Sequence, residues 1–221
     1  NKYYIRVKSD NENWNGFITI DILDINSITG MVAWQSADSL TTVVANKLTS
    51  WSDIKDLSRS VTQSNPVTQP DYINNVSLLN NKPAISLNGQ ANPSNLEINP
   101  SISLTSFSLY MLRNRKPSAA TIQTFMGQAG GGGFYSDFSV ANIGYGIFIP
   151  ATGNNNFTAA SLLSNDFSIY LSTNTKLYRN NVLEATGANI PGININRIGT
   201  REDSPGNSYS GEIVEYMYFN A

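Results

Sequence analysis

The chain has 221 residues, 40% of them hydrophobic and 10% aromatic, which suits one large β domain or two small ones and excludes a disordered chain. Charge is sparse, 14% of residues with a net of −2, so neither nucleic acid nor an anionic lipid surface is an expected partner. There is no cysteine and no histidine, which removes disulfides, thiol catalysis, Ser-His-Asp machinery and the commonest transition-metal ligand.

Asn, Ser and Thr stand where charge would be, with Asn at about one residue in eight, well above ordinary usage. Such a surface is neutral and rich in hydrogen-bonding groups. The nearest approach to a basic cluster is Arg113, Arg115 and Lys116, too small to hold a polyanion. No apolar run reaches the ~18 residues of a membrane span, so no membrane insertion is expected.

In chain order, Tyr3, Ile5 and Val7 alternate at the start, and Gly16 to Ile25 (GFITIDILDI) alternates in its first half, so both read as strands. Asp38 to Leu48 is the one stretch with a faint helical period, weakened by its Thr-Thr-Val-Val centre. Lys82 to Asn88 is a strand with Pro83, Ile85 and Leu87 on one face. Ser101 to Leu112 reads as a single strand whose two faces exchange apolar character near Ser106. Further strands are expected at 144–149, 167–172, 176–178, 196–199 and 211–219, separated by Gly, Asn, Pro and Ser clusters. Leu177 to Gly187 reads as strand, Asn-Asn turn, strand. In the last run Ile213, Glu215, Met217 and Phe219 oppose Glu212, Val214, Tyr216 and Tyr218. Both sets are half apolar, as in a central strand packed on each side. Short period-two segments between turns indicate an all-β fold, an antiparallel two-sheet β-sandwich or barrel.

Three stretches carry more. MVAWQSADSL holds Trp34, Ala37 and Asp38. SWSDIKDLSRSVTQSNPVTQPDY holds Trp51, Asp53, Asp56, Ser58, Gln69, Pro70 and Tyr72. NNKPAISLNG holds Pro83 and Gly89. In order and spacing they resemble the opening third of laminin-G-like, concanavalin A-like lectin-glucanase jelly rolls, and the closing RIG…GEIVEYMYF strand is similar as well. The resemblance implies a jelly-roll domain over 28–221. It leaves residues 1–27 as a strand-forming extension, either a sandwich edge or an arm to neighbouring protein subunits. It also implies that 50–72 is a connection laid over the sandwich, with Trp51 and Tyr72 as buried pins. The residues support this: Pro66 and Pro70 favour extended backbone, and Asp53 and Asp56 suit Asx turns. Arg59 departs from the family's glycine, so either the turn differs or the backbone there is strained.

The carboxylate pairs closest to a glycoside-cleaving spacing are Asp21/Asp24, Glu202/Asp203 and Glu212/Glu215. Two of these are i,i+3 on strands and should point to opposite faces, and the third falls in a loop, so no catalytic residue is assigned and no enzyme is expected. Phe134, Tyr135 and Asp137 after a glycine run, Asn154 and Asn155, and Arg201 and Tyr209 are candidate glycan contacts on rim loops, because rings cover sugar faces and amides pair with hydroxyls. Glu202, Asp203 and Asn207 are close enough for a loop holding Ca2+, a habit of the resembled family.

The expected function is a non-catalytic adhesion or carbohydrate-binding module outside the cell, on a cell surface or on a virion. The alternatives are a structural or assembly subunit of a phage tail, fibre, decoration or surface filament, and a polysaccharide hydrolase or lyase.

Overall fold

A computed structural model describes residues 3–5, 18–20, 28–89, 93–116, 122–128, 130–138, 145–149, 153–157, 166–187, 192–201 and 208–220. The chain divides into two compact units, Asn1–Gly30 and Met31–Ala221. The first contains an antiparallel pair, β1 (Tyr3–Ile5) with β2 (Ile18–Ile20), with Tyr3 in register with Ile20. Val7 and the flanks of Gly16–Ile25 lie outside the described residues.

The second unit is an antiparallel two-sheet β-sandwich of the jelly-roll kind. Its strands are β3 (Met31–Ser36), β4 (Thr41–Val44), β5 (Lys47–Ser52), β6 (Ser60–Thr62), β7 (Asp71–Val76), β8 (Lys82–Leu87), β9 (Leu96–Leu104) and β10 (Ser108–Arg113). They continue with β11 (Ile122–Gln128), β12 (Gly133–Phe138), β13 (Tyr145–Ile149), β14 (Gly153–Phe157), β15 (Ser168–Thr173), β16 (Lys176–Arg179), β17 (Val182–Thr186), β18 (Ile193–Ile198) and β19 (Gly211–Phe219). Among the described residues the one helical piece is a 3-10 turn at Ser77–Leu79.

One layer runs β17–β16–β15–β10–β19, and β19 is then flanked by β3 along one half and β8 along the other. The other layer runs β4–β5–β6–β9–β18–β11–β12–β13–β14. β7 pairs with β8 and meets β5 at Lys47–Asp71, linking the layers at one edge.

The core between the layers is apolar and aromatic, including Trp51, Val61, Ile98 and Ile195 from one layer and Leu109, Met111, Tyr216 and Tyr218 from the other. Trp51 and Tyr216 meet edge to face with centroids 5.3 Å apart, and the Trp51 Nε1 donates to the Ser36 carbonyl at 2.9 Å. Such a ring pair is worth about 0.5–1.5 kcal/mol beyond its area burial.

Two sequence expectations give way here. Asp38–Leu48 is not helical: β4 and β5 form a hairpin whose corner, Ala45 and Asn46, takes φ of 48° and 63°. The β-branched run Thr41–Val44 prefers the strand, as its side chains dictate. Ser101–Leu112 is two strands in different layers, β9 and β10, joined around the buried Phe107. The exchange of apolar character near Ser106 marks the passage from one layer to the other. By contrast, the Asn180–Asn181 turn forms as read, with φ of 49° and 66° joining β16 to β17.

The 50–72 connection is held by one buried carboxylate. Asp53 Oδ1 accepts from the backbone N–H of Trp34 (3.0 Å), Lys55 (2.8 Å) and Asp56 (3.2 Å). Its Oδ2 accepts from Arg59 Nη1 at 2.8 Å, and the same nitrogen reaches the Val32 carbonyl at 2.9 Å. Arg59 does not take a positive φ, so the turn there is unstrained, and its side chain adds an anchor to β3. Asp56 caps its own turn by accepting from the Ser58 N–H at 3.1 Å. Trp51 is fully buried, whereas Tyr72 is only half-buried, its hydroxyl donating to the Ala37 carbonyl at 3.2 Å. Gln69, Pro70 and Pro83 are buried, and a Cβ at Gly89 would lie 2.8 Å from the Ser208 carbonyl oxygen.

Removing one partner of the Asp53–Arg59 pair leaves a buried charge. Asp53→Ala or Arg59→Met is expected to lower stability by about 3–5 kcal/mol in denaturant unfolding, and the double variant by less than the sum. Additive losses would show that the pair is not coupled.

Candidate functional site

The antiparallel registers bring six side chains from six strands into one row on the outer face of the first layer. Trp34 of β3 pairs with Met217 of β19, and Met217 with Tyr110 of β10. Tyr110 pairs with Leu171 of β15, Leu171 with Tyr178 of β16, and Tyr178 with Leu183 of β17. Five of the six are half-buried and Leu183 is exposed. Beyond the row, Leu112 pairs with Ile169, and Ile169 is 41% exposed.

A groove of about 720 Å³ opens on this face, floored by Tyr110, Ile169, Leu171 and Tyr178 and rimmed by Thr173, Asn180 and Asn181. An apolar floor with aromatic rings and a few polar groups at the rim is the make-up of a small-molecule site. Asn180 is itself fixed: its Oδ1 accepts from the Ile169 N–H at 2.9 Å and its own N–H donates to the Ile169 carbonyl at 2.8 Å. A second hollow, about 470 Å³, is lined by Ser103, Gln128, Asn194, Asn220 and their neighbours, with no aromatic ring among its lining residues.

At the β3 end of the row the Trp34 Nε1 donates to Glu215 Oε1 at 2.8 Å. Burial is the main cause that raises the Glu215 carboxyl above its ordinary range. The Trp34 hydrogen bond opposes the shift, the negative Asp38 adds to it, and Lys82 works against it. Burial, with the Glu215 charge second, also raises Tyr110. Asp38 itself is drawn down chiefly by Lys82, whose Nζ lies 2.7 Å away.

Glu212 and Glu215 do not point to opposite faces. The pairing of β19 with β10 shifts between Leu112 and Arg113: Leu112 faces Glu215 while Arg113 faces Ile213. The extra residue is a β-bulge, and it brings both glutamates to the outer face. The period-two argument against this pair therefore fails. Each is nevertheless engaged. Glu212 accepts from Asn114 Nδ2 at 2.6 Å and pairs with Lys116, and Glu215 holds Trp34.

The rim residues named from the sequence fare differently. Phe134, Tyr135 and Asp137 lie on strand β12, and Asn154 and Asn155 on strand β14, not on loops. The turn before β12 is made by Gly130, Gly131 and Gly132, all at positive φ. Tyr209 is no surface contact. It is fully buried, edge to face with Phe125, and its hydroxyl donates to the Asn114 carbonyl. Arg113 is likewise interior, its guanidinium 4.1 Å from the Tyr170 ring centroid and 4.7 Å from that of Phe125, so the basic cluster does not form a surface patch. Arg201 is half-buried. Glu202, Asp203 and Asn207 lie outside the described residues, as do Asp21 and Asp24. Among the described residues no group of three or more acidic side chains could hold a metal ion. No described helix is long and apolar enough to cross a membrane.

No protein-family profile and no curated protein sequence matches the chain. Among solved structures it is similar to domain 4 of a GH43 extracellular arabinanase from Geobacillus stearothermophilus, solved in complex with arabinotriose. The TM-score is 0.59 at 16% identity, over 86% of this chain and 92% of that one. A sialidase from Trypanosoma rangeli also aligns, at TM-score 0.45 and 12% identity, over 86% of this chain and 30% of that one. At 16% identity the likeness to the arabinanase domain shows the β-sandwich fold.

The raised Glu215 gives a pH signature. A carboxyl with a folded-state pKa above its unfolded value binds more protons when folded, so stability falls as pH rises through that window. Glu215→Gln keeps an acceptor for Trp34 and removes the charge. Its denaturation midpoint is expected to gain on wild type as pH climbs from the ordinary carboxylate range of about 4 to neutrality, and to match it below. A gap that stays constant with pH would contradict this.

Proposed function

We propose that the chain is a laminin-G-like, concanavalin A-like module that works outside the cell and holds a neutral glycan on the outer face of its first layer, the one built around β10 and β19. The observation that carries this reading is the cross-strand row from Trp34 to Leu183 with its groove and asparagine rim. Rings cover the C–H faces of sugars, and carboxamide and hydroxyl groups answer the sugar hydroxyls. The sparse charge suits an uncharged ligand. The arabinotriose seen on the arabinanase domain supports a sugar as the ligand class.

The module is read as one that binds its glycan, and the described glutamates of β19 support that reading. Glu212 is ion-paired with Lys116 and Glu215 accepts from the Trp34 indole, so each already has a partner. Residues 1–27 are read as an arm distinct from the 28–221 module. The compact 1–30 unit with its own strand pair favours a second reading, an assembly subunit coupled through that arm.

Affinity electrophoresis through gels cast with neutral polysaccharides, arabinan included, tests the reading. Retardation by at least one polymer is expected, lost in Tyr110→Ala and Tyr178→Ala at unchanged melting behaviour. No retardation by any of them, or retardation that both variants retain, would overturn it. Deleting residues 1–27 should leave the retardation intact. A loss of oligomer mass with no glycan binding would favour the assembly reading.

A further inference from the structure

The rings in the row are periodic. Trp34, Tyr110 and Tyr178 occupy every second strand, with Met217 and Leu171 on the strands between. Strands in a sheet lie about 4.8 Å apart, so neighbouring rings of the row sit roughly 9.6 Å apart. That spacing is close to the two-residue repeat of an extended chain of β-1,4-linked pyranoses. In such a chain the linkages are equatorial and each unit is turned over relative to the last. Every second sugar therefore offers the same C–H face to one side. A ring under every second sugar, with a smaller aliphatic side chain under the one between, is the complement of that chain.

We infer that the glycan held on this face is a single, neutral, extended β-1,4-linked pyranose chain. It lies across the strands, with Trp34, Tyr110 and Tyr178 stacked on alternate sugars. This rests on the outer face being the glycan site. Trp34 is preset for the task, since its indole N–H is held by Glu215. At the other end the β16–β17 turn places Asn180 and Asn181 beside Tyr178, where they meet the hydroxyl edge of the terminal sugar. Chains of α-1,4- or β-1,3-linked glucose coil, and furanose chains lack the flat axial face, so none of these meets three rings at this interval.

The sheet also dictates the physical form of the ligand. Adjacent strands are rotated by about 20–25°, so rings two strands apart are turned by roughly 40–50° relative to each other. A hydrated single chain can follow that twist. The flat face of a crystalline polymer cannot touch all three rings together.

Isothermal titration calorimetry with β-1,4-linked gluco-, xylo- and manno-oligosaccharides of graded length tests the inference, alongside α-linked, β-1,3-linked and arabinofuranose oligomers. For at least one β-1,4 series, affinity should climb up to the pentasaccharide, which spans all three rings, and then level. Trp34→Ala, Tyr110→Ala and Tyr178→Ala should each weaken hexasaccharide binding by about ten-fold, the scale of one such stacking contact. Trp34→Ala should also move the plateau down to the trisaccharide. Trp34→Phe and Tyr178→Phe should keep most of the affinity, which separates stacking from misfolding. Soluble chains should be retained and crystalline cellulose or chitin should not. Binding that prefers another linkage, or is indifferent to length or to Trp34, yet is lost in Tyr178→Ala, would sink this inference and leave the outer-face site standing. Absence of binding to every glycan would remove both.

Discussion

The outer face owes its order to what happens inside. Side chains on a strand alternate with a period of two, so a slip of one residue in β19 would drive Met217 inward and push Tyr216 and Tyr218 into water. Trp51 prevents this. It is fully buried, abuts Tyr216 from the opposite layer, and is tied through its own N–H to the Ser36 carbonyl of β3. Tyr218 is locked a step further along, its ring edge to face with Tyr216 and its hydroxyl against the Met126 sulfur. With β19 so indexed, β3 on one side and β10 on the other take their registers from it, and the external row follows.

The connection that carries Trp51 is held with equal care. Asp53 gathers three backbone N–H groups and the Arg59 guanidinium while itself excluded from solvent. A buried ion pair is weak evidence for stability in general, but it specifies one arrangement because any other leaves a charge without a partner. Here that arrangement fastens residues 53–59 to β3. The strand that bears Trp34 on its outer side is thus fixed from below.

Much of this was legible along the chain and some of it could not be. The bounds of β19 and the Asn180–Asn181 corner follow from local alternation and from side chains that tolerate positive φ. The order of Trp51, Asp53, Gln69, Pro70 and Pro83 was enough to anticipate the sandwich. Two failures have a common cause: a rule about strands was applied where the strand is interrupted. β9 and β10 looked continuous because both are apolar-rich, although the phase change at Ser106 recorded the corner. Glu212 and Glu215 looked opposed because a bulge leaves no mark in composition. The row itself was out of reach. Positions 34, 217, 110, 171, 178 and 183 become neighbours only through five strand pairings, most of them between distant segments. The visible hint was that both faces of β10 and β19 carry apolar residues, so the outer face of a two-layer sandwich had something to cover.

The central claim is that sugar is held on the outer face and not at the rim loops or the interior. The most direct measurement is NMR of the protein with its tyrosine rings labelled with carbon-13, titrated with a retained glycan. The account predicts that the signals of Tyr110 and Tyr178 move together on binding while those of the buried Tyr170, Tyr209 and Tyr216 stay in place. Shifts at Tyr135 with Tyr110 and Tyr178 silent would contradict it.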